Sequence, residues 1–145
     1  MPPQSKVYRR EHTVAFADVD AAGIVYYPRL LHICHLTFEE FFSDVGDLSY
    51  SKWILDQRLG FPTVHLDVDF SQPVRYGSPL TMVTTIQRVG KRSVTFRFVG
   101  ELADGSTAFR ADVTKACVGM DSGASQMMPQ ALLDLFSEFL QEATP

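Results

Sequence analysis

The sequence predicts an α+β domain: an antiparallel sheet packed with helices on one side. Three observations carry that expectation. The chain opens on an alternating segment and passes into a helical run that is apolar around much of its circumference. It then alternates with a period of two through four successive segments before a terminal helix.

Val7 to Phe16 alternates apolar and polar residues and reads as the first strand. A motif loop follows. From Pro28 to about Val45 the period becomes helical, because Leu31, Cys34, Phe38, Phe41 and Val45 recur at steps of three and four, and Leu30, Ile33 and Phe42 widen the face. Pro28 suits the first turn, where its missing N–H is no loss, and Gly46 suits the stop. Tyr50 to Leu59 reads as a second, shorter helical piece.

After Gly60, Val64, Leu66, Val68 and Phe70 alternate with His65, Asp67, Asp69 and Ser71, the pattern of a half-buried strand. Tyr76 to Pro79 is a turn, Leu80 to Val89 a strand, and Gly90-Lys91-Arg92 a turn into Val94 to Leu102. Asp104-Gly105 signals a hairpin into Thr107 to Met120. The last helix starts near Pro129, with Leu132, Leu133, Phe136, Phe139 and Leu140 on its inner face. A sheet of this kind has free edges, and pairing them across a two-fold axis would remove that liability.

At 145 residues, 46% hydrophobic and 21% charged, residues 1–145 fit one domain with a real core. No low-complexity tract, linker or repeat divides it. A net charge of −4 gives no basic excess for nucleic acid, though it leaves room for a small patch that holds one phosphorylated ligand. Cys34 and Cys117 match no metal or redox spacing and read as buried thiols. Met1 to Arg10 is polar and basic, which predicts neither signal peptide nor membrane span and makes the cytoplasm the default location.

The residues that carry chemistry lie in Phe16-Ala17-Asp18-Val19-Asp20-Ala21-Ala22-Gly23-Ile24-Val25-Tyr26-Tyr27-Pro28. Two carboxylates precede a helix entry, where unpaired N–H groups and the positive end of the dipole gather. A carboxylate there can act on a carbonyl while those donors hold its developing oxyanion. It can equally be a cap or a turn residue.

The stretch from Asp18 to Pro28 resembles the active-site motif of the 4-hydroxybenzoyl-CoA thioesterase family. That resemblance implies the hotdog fold, a curved antiparallel sheet wrapped around a long central helix. Asp69 to Gly77 and Gly90 to Ser93 resemble the family more loosely. It further implies an acyl-CoA thioesterase for an aromatic (benzoyl or hydroxybenzoyl type) or short-to-medium acyl group, working as a homodimer or homotetramer. CoA would arrive with the substrate, and no metal or other cofactor is implied. Asp20 matches the catalytic carboxylate, and the backbone N–H of Tyr27 matches the oxyanion donor. Tyr at this position, rather than the His of the Tol–Pal-associated branch, points to the aryl-CoA enzymes. Lys91 and Arg92 match a basic pair that contacts the nucleotide phosphates of CoA. Ala21 stands where the 4-hydroxybenzoyl enzyme has Pro, which leaves the acyl group open.

Asp20 would need desolvation, expected from Ile24 and Val25, and could serve as nucleophile or general base. Asp18 is expected to be structural. Gly23 would permit a tight backbone approach where a side chain would block the turn or the thioester. Tyr26 and Tyr27 side chains either line the acyl pocket or simply pack. His32 is a candidate pocket residue. With His35 it is spaced i, i+3, but no third metal ligand lies near. His12 and His65 read as strand residues, and Arg75, Arg88 and Arg97 as lesser phosphate candidates. Two other classes remain in view. A hotdog acyl-thioester hydratase or dehydratase would need a His that the motif loop lacks. A non-catalytic acyl-CoA binding module would have no need to keep Asp20 and Gly23.

Overall fold

Period-two alternation becomes a single antiparallel sheet over most of the chain. The structure, a computed structural model, describes residues 4–142. Its strands are β1 (Tyr8–Thr13), β2 (Leu59–Gly60), β3 (Thr63–Phe70), β4 (Pro79–Val89), β5 (Ser93–Glu101), β6 (Thr107–Ala116) and β7 (Val118–Gly119). Its helices are α1 (Tyr27–Val45), α2 (Tyr50–Leu55) and α3 (Gln130–Glu138), and a short 3-10 turn spans Phe16–Asp18. The main sheet has the order β1-β4-β5-β6-β3, and β2 pairs β7 beside it. No helix among the described residues is long and apolar enough to cross a membrane.

The inward residues of the sheet meet α1 in an aromatic core. Phe38 and Phe41 of α1 stand edge-on to Phe96 of β5, with ring centroids 5.2 and 5.5 Å apart. Phe136 of α3 closes the far side at 5.5 Å from the same ring. Each such pair adds about 0.5–1.5 kcal/mol beyond the apolar area it buries. Thr37, buried in mid-helix, gives its hydroxyl to the Ile33 carbonyl at 2.8 Å, so no donor is orphaned there. A curved sheet around α1, with the short helices at its margins, is the hotdog arrangement.

The departures from expectation have local causes. Gly46 ends α1 in extended backbone (φ −100°), so its N–H bond to Phe42 O at 3.0 Å closes the turn without a left-handed residue. The second helical piece stops at Leu55 because Arg58, at φ +56°, turns the chain into β2. The last expected strand breaks at Cys117, whose N–H goes to Arg92 O at 2.8 Å, and β7 then leaves the main sheet for β2. Beyond Thr84 the edge of β4 passes from β1 to the C-terminal segment: Ile86 N–H bonds Phe139 O at 3.0 Å and Gln141 N–H bonds Ile86 O at 2.9 Å.

β3 differs most. Its apolar residues read as one half-buried face, yet Leu66 is 42% and Phe70 52% exposed, and a bulge between Thr63 and His65 breaks the alternation at Val64, which is 61% exposed. β3 is the outermost strand, and α1 lies over the sheet centre, which leaves that apolar face uncovered in the single chain. The opposite edge, β1, carries Arg9, Arg10 and Glu11, the charges that discourage further pairing.

Candidate active site

The motif folds as a tight turn that delivers the chain into α1. Val19 bridges Val25, and Ile24 bridges Arg75, so the loop is sewn to the segment before β4. Asp20 N–H donates to Ile24 O at 2.9 Å and Gly23 N–H to Asp20 O at 3.0 Å. Gly23 sits at φ +75°, the left-handed region, but a Cβ there meets nothing within 4 Å. Its requirement is therefore backbone conformation, and the crowding expected at this position is absent within the chain.

Asp20 is exposed at the tip of this turn. Its Oδ1 accepts the Ala22 N–H at 2.9 Å and the Ile24 N–H at 3.4 Å, while Oδ2 has no partner among the described residues. The expected apolar cover is not in place: Val25 is buried in the core at 4% exposure, and Ile24 is only half-buried beside the loop. Desolvation of Asp20 must come from outside the single chain, from bound substrate or a second copy.

Asp18 takes the opposite role. It is 5% exposed and accepts the Ala15 N–H at 2.9 Å and the Arg29 guanidinium at 3.0–3.1 Å, with His12 Nε2 3.8 Å away. Burial pushes its carboxyl up, but the Ala15 N–H and Arg29 together overcome that and hold it below the usual carboxylate range. Asp18 thus ties the loop to α1. Its depressed value contributes stability that is present above the unfolded carboxylate value, near 4, and lost as pH falls through the folded one. Asp18→Asn is expected to cost about 1–3 kcal/mol, moderated because Arg29 is half in solvent. Urea unfolding at pH 7 and pH 3 checks this: the variant should lose less stability between the two than the wild type.

Tyr27 opens α1, and its N–H has no acceptor among the described residues, while Pro28 next to it has none to offer. The helix thus presents a free donor at its positive end. The Tyr26 and Tyr27 rings are exposed and stack edge-on at 5.4 Å, and Tyr27 reaches Phe70 of β3 at 6.3 Å. One turn further along α1, Leu31 begins a groove of about 250 Å³ between the helix and the inner faces of β3, β5 and β6. Leu66, Phe98 and Val113 line it, with Cys34, His35, Thr63 and Lys115 as its polar groups. Burial pushes the Cys34 thiol up to about 12, which keeps it protonated and rules it out as a nucleophile at neutral pH.

His32 faces outward; it is His35, paired with Glu39 at 3.5 Å, that lines the groove. Lys91 and Arg92 form an exposed hairpin tip, with Arg92 bonded to Ser125 O at 3.1 Å. The tip lies at the Val89 end of β4, whereas the motif adjoins the Pro79 end, roughly 33 Å away along the strand. The chain does not bring these residues together with Asp20. It brings Arg75 instead, exposed and bridged to Ile24. Arg75 ranked low in the sequence because its contact with the loop is non-local. Lys115 was missed although its signal was present: it shares the inward register of β6 with Ala111 and Val113. Among the described residues no three His, Cys, Asp or Glu side chains converge to hold a metal ion.

With this geometry in hand, comparisons with known proteins become specific. A family model described as the thioesterase-like superfamily matches residues 14–139. A 1,4-dihydroxy-2-naphthoyl-CoA hydrolase of Nostoc punctiforme is 29% identical over 121 residues, covering 83% of this chain and 80% of the relative. The crystal structure of a thioesterase-superfamily protein from Jannaschia superposes with a TM-score of 0.87 at 28% identity, over 98% of this chain and 99% of that one. A 1,4-dihydroxy-2-naphthoyl-CoA thioesterase from Synechocystis superposes at 0.82 and 25% identity, over 91% and 96%.

Proposed function

The chain belongs to the thioesterase-like superfamily as a thioester hydrolase, and we propose that it cleaves CoA thioesters of aromatic acids with Asp20 as the acting carboxylate. The observation that carries this reading is the succession along one loop and helix of exposed Asp20 on its turn, the free Tyr27 N–H and a groove that begins at Leu31. The naphthoyl-CoA substrate in the relatives' names supports an aromatic acyl group.

In this reading the thioester carbonyl sits at the start of α1. Asp20 either attacks the carbonyl carbon, giving an acyl-enzyme anhydride and releasing CoA thiolate, or removes a proton from the attacking water. Both routes place negative charge on the carbonyl oxygen, and the Tyr27 N–H receives it. Gly23 holds the turn open beside the thioester, Ile24 borders it, and Val25 anchors the loop to the core. Tyr26 and Tyr27 flank the entrance to the acyl groove. His32, on the outer face of α1, is left for the CoA arm. Arg75 is the cation on the same chain placed to meet CoA phosphate, and Lys91 with Arg92 would serve CoA held by a neighbouring copy. The uncovered inner face of β3 is where that copy would pair, making a homodimer at least.

A thiol-release screen tests the reading. Benzoyl-, hydroxybenzoyl-, phenylacetyl- and 1,4-dihydroxy-2-naphthoyl-CoA are compared with straight-chain acyl-CoAs. The expected result is a kcat/KM about tenfold or more higher for the best aryl thioester than for any straight chain. Release from no thioester at all, with tight acyl-CoA binding, would instead indicate a binding module.

A further inference from the structure

A buried lysine without a partner stands in the groove. Lys115 is 4% exposed, and among the described residues it has neither a hydrogen bond nor a carboxylate within 4 Å. The nearest acid acting on it, Glu39, is instead paired to His35. Its ammonium lies 4.4 Å from the centre of the Phe38 ring. A cation–π contact offsets only part of what removing an ammonium from water costs. Burial accordingly pushes the Lys115 value down. At an inward position flanked by Val113 and Cys117 an apolar side chain would serve packing better. The ammonium is not sealed off but open to the groove, where it can meet an acceptor that enters from outside.

The groove decides what that acceptor belongs to. It starts one helical turn, about 5 Å, past the Tyr27 N–H, so an acyl group whose carbonyl is held at Tyr27 extends into it. Its volume of about 250 Å³ exceeds the roughly 150 Å³ that holds one benzene ring. Its walls, Leu31, Phe98 and Val113, are apolar, and Lys115 is the cation among them. We propose that Lys115 is a specificity-determining residue that selects aromatic acyl groups carrying an acidic oxygen, a ring hydroxyl or carboxylate, away from the thioester. This rests on the reading that the acyl group occupies the groove, and it names the substrate class within that reading. A hydroxylated or carboxylated ring satisfies the ammonium, whereas an unsubstituted ring leaves it unpaired in a drier site.

Binding of non-hydrolysable aryl-CoA thioethers tests this without depending on turnover. Matched benzyl and naphthylmethyl pairs, with and without a meta or para hydroxyl or carboxylate, are titrated calorimetrically. The wild type should bind the best oxygen-bearing member about tenfold or more tighter than its unsubstituted partner. In Lys115→Met that ratio should fall to near one, and Lys115→Arg should keep part of it. A wild-type ratio near one at every ring position overturns the proposal, whether or not the Met variant folds. So does an undiminished ratio in a folded Lys115→Met protein. Absence of thioester hydrolysis would sink the proposed function and leave this ratio readable.

Discussion

Asp20→Asn is expected to lower kcat/KM on the best aryl-CoA by about 10³-fold or more while leaving the fold as stable as the wild type. The two halves of that expectation come from one geometry. Asn keeps an Oδ1 that can accept the Ala22 and Ile24 N–H groups, so the turn survives. The side chain is exposed, and surface changes away from packing usually move stability by less than about 0.5 kcal/mol. What Asn lacks is the negative charge that either attacks the thioester or takes the proton of water. A variant within tenfold of wild type would remove Asp20 from the chemistry. Single turnover in ¹⁸O-water separates the two routes: an anhydride cleaved by water at the Asp20 carbonyl gives an unlabelled product acid and leaves the label on Asp20, whereas a general base puts the label directly into the product.

Asp18→Asn should show the reverse profile, a loss of stability with the surviving folded fraction still active. Two acids two residues apart in sequence are thus distinguished by what surrounds them. One is enclosed by Ala15 N–H, Arg29 and His12; the other stands at the tip of a turn.

Local signals were legible in the sequence, and contacts between distant segments were not. The helical spacing of Leu31, Cys34, Phe38 and Phe41 marks α1 because burial imposes a 3.6-residue period on any helix so placed. Alternation marks the long strands for the same reason. Ile24 meeting Arg75, Cys117 turning to Arg92 and Gln141 joining the edge of β4 depend on long-range pairing, which no local pattern encodes. At the site, Gly23 marked the turn in the sequence, while the donor at Tyr27 came from the family resemblance and the helix entry that Pro28 signals. The separation of Lys91 and Arg92 from the motif could not be read, since it follows from strand order. The exposure of Asp20 was unreadable for a related reason: an apolar neighbour in sequence, Val25, turned its side chain into the core.

Val64→Glu on β3 is expected to shift the proposed dimer toward monomer at micromolar concentration and to reduce activity with it. Val64 is 61% exposed, and it does not line the groove, so the substitution leaves the single chain's pocket intact. β3 presents unpaired backbone groups along its outer edge together with the uncovered side chains of Val64, Leu66 and Phe70. An edge of that kind is a ready template for another strand. A second copy would pair with it and would also shield Asp20 and the Tyr27–Phe70 entrance, which the single chain leaves open. A charge placed at the pairing edge is then desolvated without a partner, at a cost of several kcal/mol. That is enough to shift a micromolar dimer to monomer, because each 1.4 kcal/mol changes the dissociation constant tenfold. Sedimentation equilibrium reads the assembly, and activity measured against protein concentration reads the coupling. If assembly completes the site, activity of the variant rises with concentration in step with dimer. A variant that is monomeric yet fully active at every concentration would show that one chain builds its site alone.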